Sequence, residues 1–278
     1  MLQSVATPSH PLATSFPTPS APVTAGIAKP RVSVVIPTLN EARNLPHVFA
    51  SLPPDIYEVV LVDGHSVDDT VAVARRLRPD VRVVHQTRKG KGNALACGFA
   101  ACRGDIIVML DADGSTDPKE IAAFVAALLA GADFAKGSRF ITGGGSTDIT
   151  RVRRAGNLGL NVLVNTLYRT RYTDLCYGYN AFWRHCLDAL ELEVAPADPA
   201  DAHRMLWGDG FEIETIINTR VARAGLRVAE VPSFEHPRLH GDSNLNAVKD
   251  GLRVLRTILR EWRVRRRATA ADRPVRAG

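Results

Sequence analysis

The chain has 278 residues, of which 45% are hydrophobic and 23% charged, values that are ordinary for a soluble globular protein. No apolar run approaches the length of about 18 residues that a membrane-spanning helix needs, which argues against a spanning segment. The net charge is +6, but the segment from Lys249 onward holds ten Lys or Arg and three acids, so the remainder carries −1. The basic character therefore belongs to the tail and indicates little about the partners of the main body.

The first thirty residues are rich in Pro, Ser, Thr and Ala, and they lack the basic start and apolar core of a secretion signal. This composition predicts a disordered leader over residues 1–30. The four cysteines form no CxxC pair and have no histidines at zinc-site spacing. We therefore expect reduced thiols in a cytoplasmic protein.

From residue 32, short β-branched runs alternate with helical patterns. The runs VSVVIP, EVVLVD, VRVVH and DIIVML predict strands at residues 32–37, 58–63, 81–85 and 105–110. Apolar residues recur every three or four positions in the segments between these runs, which predicts helices there. This alternation predicts an α/β fold with a mostly parallel sheet, in which ligands bind beyond the carboxyl ends of the strands.

The second half of the chain predicts further strands and three helices. In chain order its segments are 132–140 (strand), 141–150 (flexible loop), 151–168 (helix), 174–184 (strand or extended), 211–225 (helix closed by Gly225), 226–234 (strand) and 244–267 (long basic helix). The last of these has an apolar stripe that includes Leu252, Leu255, Leu259 and Trp262. That stripe could rest on an anionic membrane surface or pack on the domain. Nucleic acid is not an expected partner, because no aromatic stacking platform accompanies the charge.

Polar residues follow each of the first four predicted strands. Asp111 and Asp113, after the fourth strand, could hold a divalent cation or belong to a turn. Asp117 and the proline after it are typical of a helix start and need no cation. The GKG segment around Lys91 could approach a pyrophosphate or be a solvated basic turn. Asp63, after the second strand, could bind a nucleobase or form an Asx-turn.

In this order, the segments VVIPTLNEARNLP, VDGHSVDDT, GKGNAL, DADGSTDP, GSRF, DLCYGYNAF and VPSFEHPRLHGDSNL resemble family 2 glycosyltransferases of GT-A (Rossmann-like) fold. The branch that the chain resembles most is that of the dolichyl- or polyprenyl-phosphate sugar synthases. The resemblance implies one GT-A domain over residues 31–246, followed by a basic amphipathic helix at 247–267 and a disordered tail at 268–278. It also implies an inverting enzyme that uses a GDP- or UDP-linked sugar and Mg²⁺ or Mn²⁺.

The same resemblance implies roles for individual residues. The residues that would bind the sugar donor are Pro37, Asn40, Glu41, Asp63, Lys91 and Asp111. The metal would be bound by Asp113 together with Asp111. Three residues would take part in catalysis. Arg139 and Arg238 would hold the diphosphate or an acceptor phosphate, and Asp209 would be the general base. Asp209 could instead be a helix N-cap, and Glu212 and Glu214 are further acids in its segment. The residues on the acceptor side would be Asp174, Glu212 and Ser243, and one of His65, His236 and His240 could complete the metal shell.

The chain departs from that branch at three places. Gly64 replaces the second residue of an Asp-Asp pair, Gly114 and Ser115 replace a Leu-Gln pair, and Asn244 replaces a lysine. The acceptor therefore stays open between a polyprenyl phosphate and a small hydroxyl compound, with a peripheral position on the inner face of the membrane in the first case. A sugar-phosphate nucleotidyltransferase and a non-catalytic nucleotide-sugar-binding protein are the alternatives.

Overall fold

The computed structural model describes residues 29–194, 204–241 and 247–271, without the side chains of residues 247, 248 and 265–271. Its main sheet has seven strands in the order β3-β2-β1-β4-β7-β5-β8, and β6 and β9 form a separate two-stranded sheet. The strands are β1 (Val32–Thr38), β2 (Glu58–Asp63), β3 (Arg82–His85), β4 (Ile106–Met109), β5 (Phe134–Ser138), β6 (Gly145–Ser146), β7 (Asn180–Trp183), β8 (Val228–Pro232) and β9 (Phe234–Glu235). The helices are α1 (Leu45–Ser51), α2 (Thr70–Leu77), α3 (Lys91–Ala101), α4 (Ile121–Leu129), α5 (Arg151–Tyr168), α6 (Leu187–Leu190), α7 (Ile213–Arg223) and α8 (Ala247–Ala271).

The central strands β1 and β4 are mostly apolar and buried because helices cover both faces of the sheet. Val34 and Ile36 of β1 point into one core layer, which α1, α2 and α4 complete. Val35 points into the other, which α3 and α7 complete. Strands β1 to β4 are parallel to one another, so their carboxyl ends lie along one edge of the sheet.

The structure confirms the predicted α/β class and mostly parallel sheet, and it corrects three details. Strand β7 is antiparallel to both of its neighbours, β4 and β5. The segment predicted as a flexible loop contains β6, which pairs with β9. The predicted strand at residues 226–234 is broken at Ser233 into β8 and β9. Asp117 starts a 3₁₀ turn as expected, since its side chain accepts a hydrogen bond from the backbone N–H of Lys119.

Helix α8 packs on α5 and α7 through Val254 and Ile258. Its buried line also contains Thr257 and Glu261, whereas Leu252, on the apolar stripe that the sequence predicts, is 51% exposed. The sequence left two alternatives for this helix, a membrane surface or the domain. The structure shows that the buried side chains of α8 pack on the domain. The helix ends at Ala271, beyond the predicted residue 267.

Within the described residues, no helix combines the length and the apolar composition needed to cross a bilayer. Residues 1–28 of the predicted leader and residues 272–278 of the predicted tail lie outside the described part of the chain.

Helix α3 approaches the sheet closely at Gly98. A Cβ atom at Gly98 would lie 2.4 Å from Cγ1 of Val35 and 2.8 Å from Cγ2 of Val62. We expect Gly98→Ala to lower the free energy of unfolding by about 1–3 kcal/mol, because both valines are locked in the core. The matched control is Gly159→Ala in α5, where a Cβ atom would meet nothing within 4 Å. This control should gain up to about 1 kcal/mol through helix propensity. Urea denaturation measures both, and equal effects of the two substitutions would contradict the close approach.

Candidate active site

A cleft of about 920 Å³ lies at the carboxyl ends of β1 to β4, in the size range of ligand-binding cavities. Helices α5, α7 and α8 border its other side. Its wall at the sheet edge includes Pro37, Glu41, His65, Lys91, Asp111, Asp113, Arg139 and Arg238. The cleft thus brings together most of the residues that the sequence assigns to the sugar donor and the metal.

Asp111 and Asp113 leave β4 and face this cleft. An Asp113 oxygen accepts a hydrogen bond from the backbone N–H of Ser115 at 3.0 Å, and its other oxygen lies 3.5 Å from Nε of Arg238. The backbone of this turn is paired with the segment before α8, where the N–H of Leu239 donates to the Asp113 carbonyl at 3.1 Å. Gly114 has φ +76°, a backbone conformation that favours glycine, and a Cβ atom there would also lie 2.5 Å from Leu239 Cδ1. A glycine at the position where the resembling branch has a leucine therefore suits the conformation of this turn.

The Lys91 ammonium group lies between two carboxylates, 2.8 Å from Asp111 Oδ1 and 2.9 Å from Glu214 Oε1. Burial by itself would lower the pKa of Lys91, but the charges of Asp111 and Glu214 outweigh burial and raise that pKa above its ordinary value. Lys91 therefore stays positively charged at every physiological pH. It links the Asp-x-Asp turn after β4 to α7.

The two glycines beside Lys91 lie against the loop before α7. A Cβ atom at Gly90 would lie 2.1 Å from the carbonyl oxygen of Asp209, and one at Gly92 would lie 1.9 Å from that of Gly208. The N–H of Gly92 donates to the Asp209 carbonyl at 2.7 Å. These glycines let two protein backbones approach each other, and the Gly92 amide is already used and is not directed at a pyrophosphate.

Asp209 is held by Arg88. Both Asp209 oxygens accept hydrogen bonds from Arg88, Oδ2 from Nε and Oδ1 from Nη2, each at 2.8 Å. Asp209 is 3% exposed and does not line the cleft. It is not the N-cap of α7 either, a position that Glu212 occupies. Asp209 therefore links the β3–α3 loop to the loop before α7 through this ion pair, and its role as a proton acceptor stays a prediction.

The two glutamates after Asp209 diverge, as expected from their spacing. Glu212 is buried and accepts a hydrogen bond from the backbone N–H of Gly208 at 3.0 Å. Glu214 lines the cleft beside Lys91. Of the three acids in this segment, only Glu214 faces the described part of the cleft.

The expected nucleoside contacts divide into two groups. Pro37 and Glu41 line the cleft. Burial raises the pKa of Glu41, against the opposing effects of hydrogen bonds from Asn44 and of the nearby charge of Arg238, whose Nη1 lies 2.9 Å away. Asn40 and Asp63 are outside the lining, and both order the β2–α2 loop.

The side-chain oxygens of these two residues accept hydrogen bonds from backbone N–H groups, and Asp63 Oδ2 also lies 3.4 Å from Nδ1 of His85. Asn40 Oδ1 accepts from Val67 at 2.9 Å, and Asp63 accepts from His65 at 3.1 Å and from Ser66 at 3.3 Å. The Asx-turn interpretation of Asp63 fits this geometry. The roles of Asn40 and Asp63 in binding a sugar donor stay predictions.

Arg139 and Asp174 form a second buried ion pair, at the far end of the cleft. Asp174 is fully buried and accepts from Arg139 Nε at 2.7 Å and from Nη2 at 2.9 Å. The third nitrogen, Nη1, lies 2.9 Å from Glu235 Oε2. Burial would lower the pKa of Arg139, but its hydrogen bonds and charge interactions with Asp174 and Glu235 raise it. Asp174 thus orders Arg139, and Arg139 itself lines the cleft.

Two charged residues outside the set predicted from the sequence, Glu235 and Arg153, also line the cleft. Arg153 lies 2.9 Å from Asp148 and 3.9 Å from Glu235. The sequence contained an indication that Arg153 has a function. Cations in the first turn of a helix oppose the helix dipole, so a cation at such a position has to be explained by something other than helix stability. Ser243, predicted on the acceptor side, lies outside the described residues.

The aspartates can be tested as ligands for Mg²⁺ or Mn²⁺. Asp111 and Asp113 supply hard carboxylate oxygens, which these ions prefer. Among the described residues, no three His, Cys, Asp or Glu side chains are grouped so that they could hold a metal ion, and a histidine as a further ligand stays a prediction. The two carboxylates fit an ion that draws its remaining ligands from water and phosphate oxygens.

Comparisons with known proteins agree with this geometry. Residues 33–189 match the family model described as glycosyl transferase family 2. The chain is 33% identical to the glycosyltransferase AglD of Haloferax volcanii over 88% of this chain, but it spans only 39% of AglD. It is 32% identical to the polyprenol monophosphomannose synthase of Mycolicibacterium smegmatis, over 88% of this chain and 92% of that protein.

A solved structure is also similar. It is the glucosyl-3-phosphoglycerate synthase of Mycobacterium tuberculosis in complex with Mn²⁺, UDP-glucose and phosphoglyceric acid. The two chains are 25% identical with a TM-score of 0.62, over 84% of this chain and 80% of that one.

The Arg88–Asp209 ion pair predicts a strong energetic coupling between the two side chains. Asp209→Ala leaves a buried guanidinium without its carboxylate and should cost about 3–5 kcal/mol of the free energy of unfolding. The double variant Arg88→Met with Asp209→Ala should cost less than the sum of the single variants, by urea denaturation. Additive losses in stability would rule out the ion pair. Restored stability in the double variant without restored activity would point back to Asp209 as a chemical participant.

Proposed function

The chain belongs to glycosyl transferase family 2, and on that premise we propose that it transfers a sugar from a nucleoside diphosphate sugar to a polyprenyl phosphate. The observation that carries this proposal is the position of Asp111 and Asp113 in one cleft with Lys91 and Arg238. Such a site matches a donor whose leaving group is a diphosphate, because charge grows on that group as the sugar departs. Pro37 and Glu41 form the part of the wall nearest β1, where we place the nucleoside.

Lys91 and Arg238 are the cations that we assign to the diphosphate. Each is now paired with carboxylates, Lys91 with Asp111 and Glu214, and Arg238 with Glu41 and Asp113. A Mg²⁺ or Mn²⁺ ion held by Asp111 and Asp113 would supply further neutralisation of the leaving group. Lys91 keeps Glu214 as a carboxylate partner if Asp111 turns toward another ligand.

For the acceptor, we favour a phosphate attached to a lipid. The side of the cleft formed by α5, the residues just before it and α8 carries four apolar side chains, Ile149, Val152, Leu160 and Val254, among polar ones, and Arg153 and Arg139 line the same cleft. A phosphate monoester is already an anion, so its oxygen can attack the anomeric carbon without a general base. The new bond forms as the bond to the diphosphate breaks, and this direct displacement inverts the anomeric centre. The absence of Asp209 from the cleft lining is then no obstacle.

The polyprenol monophosphomannose synthase relative supports this choice of acceptor class. A lipid acceptor would also place the protein at a membrane, and we propose the cytoplasmic face as its position. Titration of the protein with GDP and with UDP distinguishes guanine from uracil as the nucleobase of the donor.

A second candidate is transfer to a small phosphorylated hydroxyl compound, for which the similar structure with phosphoglyceric acid is the specific support. A hydroxyl acceptor must lose its proton to a base during attack. Glu214 is the acid of its segment that lines the cleft, and it would take that role. Transfer to phosphoglyceric acid and none to polyprenyl phosphate would decide for this candidate.

If the proposed function is correct, donor binding depends on a metal ion and sugar transfer is lost when Asp113 is changed. Nucleotide titrations with GDP and UDP, each with and without Mn²⁺, should show metal-dependent binding of one of them. Release of that nucleotide from its mannose or glucose conjugate should then require polyprenyl phosphate. Asp113→Asn should lower kcat/KM by about a hundredfold or more, because charge stabilisation of a leaving group is a large part of catalysis.

The matched control for this prediction is Asp80→Asn, an exposed carboxylate paired with Arg78 on the α2–β3 turn. It should leave both binding and turnover unchanged. Failure of every nucleoside diphosphate to bind in the presence of metal would refute the proposed function.

A further inference from the structure

The outward side of α5 lacks the charged residues that solvent favours. From Ala155 to Tyr168 the helix contains no Asp, Glu, Lys or Arg. Its inward side buries Asn157, Asn161, Val164 and Tyr168. On the other side, three apolar side chains are largely exposed, namely Val152 (69%), Leu158 (64%) and Val162 (60%). We call the exposed residues Val152, Ala155, Leu158, Gly159 and Val162 the α5 ridge.

The surroundings of the ridge are open and basic. A Cβ atom at Gly159 would meet nothing within 4 Å. Residues 149–173 contain five arginines and no acid. Arg151 and Arg154 are exposed in the first turn, and Arg169 and Arg171 are exposed just after the helix. Because 18 helical residues extend about 27 Å, these two pairs bracket the ridge from both ends.

The arginines of the first turn oppose the helix dipole. The positive end of the dipole lies at the N-terminus, where a cation costs about 0.3–1 kcal/mol and an acid would be favourable. The first turn of α5 has no acid. The first turn of α5 thus carries cations where acids would be more stable, and it does so beside an exposed apolar surface. Departures of this kind are expected at functional sites.

We propose that the α5 ridge docks on a bilayer that contains anionic phospholipid. The apolar side chains would enter the boundary between headgroups and acyl chains, and the bracketing arginines would contact the anionic headgroups. Long arginine side chains can keep their charge at the headgroup level while their stems lie along apolar surface. Charge complementarity selects an anionic bilayer over a neutral one.

The ridge is continuous with the cleft. Val152 belongs to both, and Ile149, Gly156 and Leu160 of the same segment also line the cleft. Docking through α5 would therefore bring the cleft mouth to the level at which a polyprenyl phosphate presents its phosphate. This last step rests on the proposed function, whereas the docking itself rests only on the surface of α5. Helix α8 is less suited to the same task, because Val254 and Ile258 are buried against the domain.

Sedimentation with vesicles tests the proposal. Wild-type protein should bind vesicles of phosphatidylcholine and phosphatidylglycerol in equal parts, and should bind pure phosphatidylcholine vesicles much less. The variant Leu158→Glu with Val162→Glu should bind the mixed vesicles at least about tenfold more weakly, because two apolar side chains no longer leave water. Its urea midpoint should match that of the wild type, since both side chains are exposed.

The matched control is Leu77→Glu with Leu129→Glu, which makes the same charge change at exposed apolar residues of α2 and at the end of α4. This control should bind vesicles like the wild type. Three results would overturn the docking surface: no binding of wild type to mixed vesicles, an equal loss in the control, or a wild-type dimer in analytical ultracentrifugation that the α5 variant dissociates. The dimer would identify a second copy as the occupant.

Failure of docking can be separated from failure of the proposed function. Sugar transfer to detergent-dispersed polyprenyl phosphate by a protein that ignores vesicles would refute the docking surface alone. Vesicle binding that depends on Leu158 and Val162, by a protein that transfers no sugar, would support the docking surface and refute the proposed function.

Discussion

The structure depends on the neutralisation of three cations around one cleft, of which Arg88 and Arg139 are buried and Lys91 has a side chain that is 17% exposed. Lys91 lies between Asp111 and Glu214, Arg88 on Asp209, and Arg139 between Asp174 and Glu235. A buried charge without partners costs several kcal/mol, so each cation fixes the positions of the segments that supply its carboxylates. Those segments are distant in sequence, and the ion pairs hold α3, α7, the strand ends and β9 in one arrangement. The walls of the cleft are therefore set by electrostatics as much as by apolar packing.

The same pairs determine what the cleft can bind. A cation that is already neutralised attracts an incoming phosphate only weakly, unless its carboxylate partner turns to another positive charge. Lys91 and Arg238 differ in this respect from Arg88, because their partners include Asp111 and Asp113. Binding of an anion to these two cations is thus coupled to what the aspartates hold. Arg88, by contrast, is held by both oxygens of Asp209, which does not line the cleft.

The sequence predicts the local features of this molecule well. The β-branched runs gave the four parallel strands to within a residue or two, and the Asp117 turn followed from capping rules. What failed depended on contacts between distant segments. The need for glycine at Gly90 and Gly92 comes from the backbone of Gly208 and Asp209, more than a hundred residues away. The partner of Asp209 is Arg88, which no spacing rule connects to it. Tertiary packing also decided which side of α8 is buried.

The charge of the cleft bears on its need for a cation. Among the described residues, the cleft is lined by five cationic and seven acidic side chains. They are Lys89, Lys91, Arg139, Arg153 and Arg238 against Glu41, Asp111, Asp113, Asp148, Glu214, Glu235 and Asp250. A nucleoside diphosphate sugar is itself an anion, so its entry into such a cleft is opposed unless positive charge enters with it. A divalent cation held by Asp111 and Asp113, as in the proposed function, would supply that positive charge. The excess of acids is thus a physical reason for the proposed metal dependence of donor binding.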